Sequence, residues 1–273
     1  MQGQAVSATP ETKAVTEAPL FRADADGVTT LTFNRPQARN ALSRSMIAAV
    51  QHELDAIRED PSVRAVVIAA KGPAYCAGHD MRELRSNNSR AFYDDIFQAC
   101  ARMMLSVMRL PQPVIARVQG MATAAGCQLV ATCDLAVASD EARFATPGVH
   151  IGLFCSTPMV ALSRNIGRKQ AMEMLVLGDP VSADRALALG LVNRVVPADR
   201  LDAEIAEMTA RITDKSALTI RVGKEAFYRQ VEAGIEDAYA YTAEIMAANM
   251  MSHDAQEGVG AFIDKRKPIW RGA

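Results

Sequence analysis

Two short segments of this chain carry small residues where a strand hands over to a helix. They are Ala74-Tyr75-Cys76-Ala77-Gly78-His79-Asp80 and Gly120-Met121-Ala122-Thr123-Ala124-Ala125-Gly126. A helix N-terminus presents N–H groups that have no intrahelical acceptor, together with the positive end of the helix dipole. Small side chains let an oxygen approach those N–H groups. Two such segments facing each other form an oxyanion hole, which stabilises negative charge as it develops on a carbonyl oxygen. Taken singly, either segment is better explained by close packing of a helix on a sheet, where Ala and Gly serve only to save space.

Other reactive side chains are sparse. The histidines are His52, His79, His150 and His253, and no HxxxH or Cys/His cluster has the spacing of a structural metal site. The five cysteines are Cys76, Cys100, Cys127, Cys133 and Cys155, an odd count without CxxC spacing. Free thiols in a reducing cytosol fit this pattern, and a cytoplasmic location is expected. Cys127 and Cys133 read as core thiols. A loop-capping role is expected for Cys155-Ser156, and Asp80 is placed to cap or orient a helix start.

The 273 residues are 49% apolar and 22% charged. A chain of this size buries about 70% of its unfolded surface, enough for a large core. A net charge of −1 excludes the strongly basic footprint of a nucleic-acid or anionic-membrane binder. No apolar run approaches the ~20 residues of a membrane helix. Met1 to Leu20 reads as neither a secretory signal nor an Arg-rich transit peptide, and a flexible tail is expected over residues 1–18.

The periodicities supply the elements that must position these groups. Leu20 to Ala23 and Val28 to Phe33 predict a hairpin around Gly27. Ser43 caps a helix whose apolar residues Met46, Ile47, Val50, Leu54 and Ile57 recur at helical spacing. Ala65 to Ala70 is a nearly continuous apolar strand, buried on both faces. A helix over Arg90 to Leu110 ends before Pro111, and strands follow at Val114–Val118 and Leu135–Ala138. Strand, loop and helix recur as β-β-α, an α/β pattern with helices covering sheets. From Pro158 the chain reads as helices, with Leu191–Val196 the exception. Their apolar faces are more than one core needs.

Asn34-Arg35-Pro36 with Asn40-Ala41-Leu42, Cys76-Ala77-Gly78-His79-Asp80-Met81, the stretch from Gly120 to Asp134, and Phe262-Ile263-Asp264-Lys265-Arg266-Lys267-Pro268 occur in this order. Together they resemble the crotonase (enoyl-CoA hydratase/isomerase) superfamily over about Leu20 to Pro268. The stretches Ala122 to Leu129, Phe144 to Gly148 and Gly152 to Pro158 resemble the enoyl-CoA hydratase domain-containing type-3 group within it. The resemblance implies an α/β fold: a crotonase-like ββα spiral core over residues 19–200 and a C-terminal helical trimerisation region over 201–273. It also implies an acyl-CoA thioester as substrate, with coenzyme A part of that substrate and no separate cofactor, and a homotrimer or homohexamer as the assembly.

By the same resemblance, the oxyanion donors are the N–H groups of His79 and Ala125. Arg39, Ala77, Asp80, Met81 and Lys265 fall along the coenzyme A. Hydratases of the superfamily use two glutamates, and this chain has Gln128 and Gly148 at those positions. Glutamine hydrogen-bonds but does not titrate, and glycine has no side chain; after Pro147 it suits a positive φ. Each acid–base group contributes ~10²–10⁴-fold in rate, so ordinary hydration is expected to be weak. His150 is a speculative replacement base.

For His79 the expectation is that only the backbone N–H acts. The sharper alternative has its imidazole facing the acyl pocket, as the similar Gly-His-Asp of methylmalonyl-CoA decarboxylases implies. The tyrosine those enzymes carry on a later loop has no match here, since Cys155 falls near that place. A protein that binds acyl-CoA without turnover is the other alternative. A peptidase of Clp type is disfavoured, since no GxSxG-like elbow is present.

Overall fold

The computed structural model describes residues 18–273. The tail expected at residues 1–18 lies, save for Ala18, outside them. The chain opens with the predicted hairpin, β1 (Leu20–Ala25) and β2 (Val28–Phe33), turning at Asp26 and Gly27 with φ of 51° and 76°. Two successive positive φ values give the tight hairpin turn whose twist matches the strands. Helix α1 (Arg44–Arg58) follows, and the Ser43 hydroxyl accepts from the Met46 N–H, as its sequence position predicts.

Three passages then build two sheets at once. The first passage is β3 (Ala65–Ala70), β4 (Ala74–Cys76), α2 (Met81–Ser86) and α3 (Arg90–Arg109). The second is β5 (Val114–Val118), β6 (Met121–Thr123) and α4 (Ala125–Thr132). The third is β7 (Leu135–Ser139), β8 (Arg143–Ala145), a 3-10 turn at Pro147–Ile151, α5 (Pro158–Asn165) and α6 (Arg168–Leu177). After β9 (Val181–Ser182) and α7 (Ala183–Leu189) the chain adds β10 (Arg194–Val196). The longer strand of each passage enters a sheet of order β1-β2-β3-β5-β7-β10, and the shorter one enters a sheet of order β4-β6-β8-β9. Among the described residues, only the β1–β2 and β8–β9 pairs are antiparallel. This is the ββα spiral that the family resemblance implies.

β3 is buried at all six positions. Val66, Ile68 and Ala70 face the main core, and Val67 and Ala69 face a second apolar cluster. Leu201, Ile205 and Met208 of α8 (Leu201–Thr213) close that second cluster. α8 therefore covers the outer face of the large sheet. α9 (Ala217–Gln230), α10 (Ile235–Met250) and α11 (His253–Ile263) pack on one another beyond it.

A buried charged group fastens α9 to the spiral. Lys224 Nζ donates to Asp134 Oδ2 at 2.6 Å and to the Gln112 carbonyl at 2.9 Å. Asp134 also accepts from the Tyr228 hydroxyl at 2.8 Å and from the Val114 N–H at 2.6 Å, so its charge is fully hydrogen-bonded.

Candidate active site

The two small-residue segments meet where β4 and β6 run side by side into their helices. Gly78 has φ +84°, and a Cβ there would lie 2.9 Å from Ala124 Cβ and 3.1 Å from the Ala125 nitrogen. Gly126 is closer still, since a Cβ would fall 2.1 Å from the Cys76 carbonyl oxygen. Only glycine at both places lets α4 start against the first loop.

The first loop is held from the α1 side. Asn40, fully buried, donates through Nδ2 to the carbonyls of Lys71 and Ala74, each at 2.8 Å. The Ala77 N–H donates to the Arg39 carbonyl at 3.0 Å. Leu42 donates to the Gly78 carbonyl at 2.8 Å and accepts from the Asp80 N–H at 3.3 Å. Both groups that Leu42 engages flank His79, so the His79 N–H faces the other way.

Asp80 caps α2, accepting from the N–H groups of Arg82 and Glu83. It also pairs with Arg35 at 3.0 Å. Burial alone would raise its pKa. The Arg35 guanidinium and the two N–H donors outweigh that and hold it below the usual carboxylate range. Met81, the first residue of α2, is 48% exposed.

The second segment is held by the Ala124 N–H, which donates to the Ala145 carbonyl at 2.9 Å. Ala124 has φ 49° and ψ −119°, a combination that side chains with a Cβ rarely adopt. That strained residue turns the chain from β6 into α4. Ala125 is the first helical residue, so its N–H has no intrahelical acceptor.

Gln128 lies one turn along the same helix face as Ala125. It is buried, and its Oε1 has no hydrogen-bond partner. The His79 ring sits edge-on to Phe97 of α3, with centroids 5.1 Å apart. Neither ring nitrogen has a partner in good geometry, and both are shut off from solvent. Desolvation pushes its pKa down to about 4, and the nearby Leu42 carbonyl offsets this only in part. At neutral pH the imidazole is uncharged. The first loop and α4 thus carry unmet hydrogen-bonding capacity at His79 and Gln128 respectively.

Gly148 lies in the 3-10 turn after β8, and its φ is not positive. The expectation of a positive φ is corrected: the constraint is space. A Cβ at 148 would meet the Leu153 carbonyl at 2.7 Å and Cys155 Sγ at 3.0 Å. The Cys155 thiol is buried against Gly148 and fills that room, and the Gly148 backbone offers it a hydrogen bond across the loop. It lies within electrostatic reach of Cys127, whose thiol burial pushes up to about 12. Cys76 and Cys100 are likewise pushed up to about 12 by burial, so these thiols are protonated and inert.

His150 is not brought into this group. It is exposed, and its Nε2 lies over Gly178, at the end of α6. Lys265 is exposed after α11. Among the described residues, the hydrogen bonds and ion pairs of 264–273 run to α11 and to Asp214, not to the His79 loop. Arg39 is exposed beside the loop. Sequence reasoning missed the loop-holding work of Arg35 and Asn40, although both stand in the motif that carried the resemblance. Phe97 gave no signal beyond its place on a helical apolar face.

The family model for enoyl-CoA hydratase/isomerase matches residues 23–273. The chain belongs to that family. It is 47% identical over 244 residues to the Xenopus laevis protein named enoyl-CoA hydratase domain-containing protein 3, mitochondrial, covering 89% of this chain and 83% of that one. The human protein of that name is 43% identical over 245 residues, covering 90% of this chain and 81% of its relative. Among solved structures, an enoyl-CoA hydratase of Mycobacterium smegmatis superimposes with a TM-score of 0.92 at 57% identity, covering 93% of this chain and 99% of that one. The structure of human enoyl Coenzyme A hydratase domain-containing protein 3 gives 0.90 at 42% identity, covering 92% and 100%. These likenesses bear out the fold and the family resemblance.

The cytoplasmic expectation is corrected. The frog, mouse and human relatives are all named mitochondrial. The expectation rested on free thiols, which report the redox state of a compartment and not its identity. Among the described residues no helix is long and apolar enough to cross a membrane, and no group of His, Cys, Asp and Glu could hold a metal ion.

Proposed function

We propose that this protein is an enzyme acting on an acyl-CoA thioester. It stabilises a thioester enolate between the N–H groups of His79 and Ala125. The observation that supports this reading is the close approach of Gly78 to Ala124 and Ala125, which brings the loop carrying His79 against the start of α4. One aimed donor is worth about 3–4 kcal/mol to an oxyanion in other enzymes. The coenzyme A is part of the substrate, reaching past Arg39, Ala77, Asp80 and Met81.

Hydration is not the reaction this site favours. It needs a proton delivered at Cα and a water held beside Cβ. Gln128 orients a water and cannot titrate. Gly148 offers nothing, and Cys155 occupies the room a larger residue would take. The test is the loss of enoyl absorbance with crotonyl-CoA. Binding with a kcat below the ordinary range of ~1–10³ s⁻¹ supports the reading. A kcat within that range refutes it and calls for another base.

A second reading is favoured by the buried imidazole, whose ring nitrogens have no partner in good geometry. Decarboxylation of a malonyl-type thioester needs enolate stabilisation and little acid–base chemistry. A neutral imidazole in the acyl pocket gives its one N–H donor to the carboxylate, which leaves as CO2 while its bonding electrons pass into the thioester enolate. Under this reading His79→Ala lowers kcat for methylmalonyl-CoA about 100-fold with little change in affinity. If only the N–H acts, the substitution is nearly silent. A protein that holds acyl-CoA without turnover shows saturable binding and no product with any thioester of the panel.

Assembly as a homotrimer or homohexamer belongs to the same proposal. Its support is the apolar surface on α10, α11 and the turn between them, where Tyr239, Met246, Met251, Phe262 and Ile263 are largely exposed. A monodisperse monomer in light scattering would refute it.

A further inference from the structure

A cleft of about 540 Å³ opens at the other end of the large sheet, away from the candidate active site. It is bordered by Arg64, just before β3, and by Pro113, just before β5. The loops of the candidate site leave the opposite ends of those strands, roughly 20 Å away at 3.3 Å per residue. Its volume is that of an ordinary small-molecule site.

The charge in this cleft is unbalanced. Arg58, Arg64, Arg221 and Arg271 line it against two carboxylates, Glu59 and Asp60. Asp60 is already engaged by the Ser62 hydroxyl at 2.6 Å and by Arg22 at 3.7 Å. Arg58 and Arg64 are aimed by backbone carbonyls, those of Arg109 and Lys215. The side chains of Arg221 and Arg271 have no hydrogen bond or ion pair among the described residues. Helix α9 starts here at Ala217, adding the positive end of its dipole. With the buried Asp254 behind Arg271 counted as a third carboxylate, a chain of net charge −1 still gathers a positive surplus in one cleft.

The walls are held in place before anything binds. Asp254 is buried and accepts from the Ser216 hydroxyl at 2.6 Å, the Arg271 N–H at 2.7 Å and the Gly272 N–H at 2.9 Å. Trp270 is fixed through its indole N–H to the Asp214 carbonyl at 2.8 Å. Gln112, 8% exposed, donates to the Ile57 carbonyl at 3.0 Å, while its Oε1 is left without a partner. Guanidinium groups with free N–H edges match phosphate oxygens in charge and geometry.

We propose that this cleft is a second binding site, for an oligophosphate group, separate from the thioester site. Trp270 is the only tryptophan of the chain, so intrinsic fluorescence reads the cleft directly. The experiment titrates the full chain with inorganic tripolyphosphate and, separately, with ATP, each against sodium chloride of matched ionic strength. A saturable fluorescence change is expected that weakens as salt is raised. In the variant carrying Arg221→Ala and Arg271→Ala the affinity should fall about tenfold or more. Neither side chain bonds to another group among the described residues, so the variant is expected to keep its fold, which its melting temperature checks. Equal affinity for the two probes assigns recognition to the phosphate chain. Tighter ATP binding assigns part of it to the nucleoside beside Trp270. No saturable change, or the same change in the double variant, overturns the proposal.

Discussion

The buried imidazole of His79 makes the folded protein sensitive to acid in a defined window. Its pKa is pushed down to about 4 from an unfolded value of 6.5. Between those values the unfolded chain holds a proton that the folded chain does not, so stability rises with pH across the window. Above 6.5 neither state is protonated and His79 contributes no pH dependence. As pH falls from 6.5 to 4, folding loses about 3 kcal/mol from this one group, at 1.36 kcal/mol per unit. Carboxylates also respond to acid, so the measurement is a difference between two proteins. His79→Gln keeps a donor and an acceptor in the same place and does not titrate. Urea unfolding of both proteins at pH 7 and pH 5 reads the effect. The stability difference should move by about 2 kcal/mol in favour of the variant between those two values. Parallel pH dependence would refute the reasoning, and so would relative stabilisation of the wild type in acid. Either result would mean that the ring reaches water or a partner in solution.

Two further outcomes test the packing that builds the site. Gly148→Ala puts a methyl 2.7 Å from the Leu153 carbonyl, which is backbone and cannot swing aside; it should destabilise by about 1–3 kcal/mol in urea unfolding, and adding Cys155→Ala should not restore the loss. Ala124→Gly removes the Cβ from a residue held at φ 49°. Strain of about 1–3 kcal/mol is relieved and the unfolded chain gains about 0.4–1 kcal/mol of entropy, so a net stabilisation of about 1 kcal/mol is expected in the same assay.

Much of the frame is legible in the residues themselves. Ala65 to Ala70 has an apolar residue at every position, which is a strand covered on both faces, and β3 is one. Ser43 before Met46, Ile47 and Val50 marks a helix start, and the hydroxyl makes the bond its position predicts. These features rest on local propensity and on periods that repeat several times, so a single chain without context shows them. The small strands β4, β6 and β8 have three residues each, too few for any period to register. Yet β4 and β6 pair directly at the two small-residue segments, and β8 continues the same sheet.

For the site, the residue types at 78–80 and 124–126 determine that small residues open two helices there. That they open against each other depends on the register of β4 with β6, a pairing of segments more than 40 residues apart in the chain. His79 and Gln128 are polar in any reading; only the packing of Phe97 and the start of α4 leaves their polar atoms buried and unmet. His150 lies two residues from Gly148 in sequence, but the 3-10 turn carries it to the outside, over Gly178. Cys155 is seven residues from Gly148 and yet touches it, because the loop folds back through the Leu153 N–H to the Gly148 carbonyl at 2.9 Å. Sequence alone determined which groups this protein has and the longer helices and strands that frame them. Tertiary structure decided which of those groups meet, because contacts across sheets and loops depend on long-range packing that no local pattern encodes.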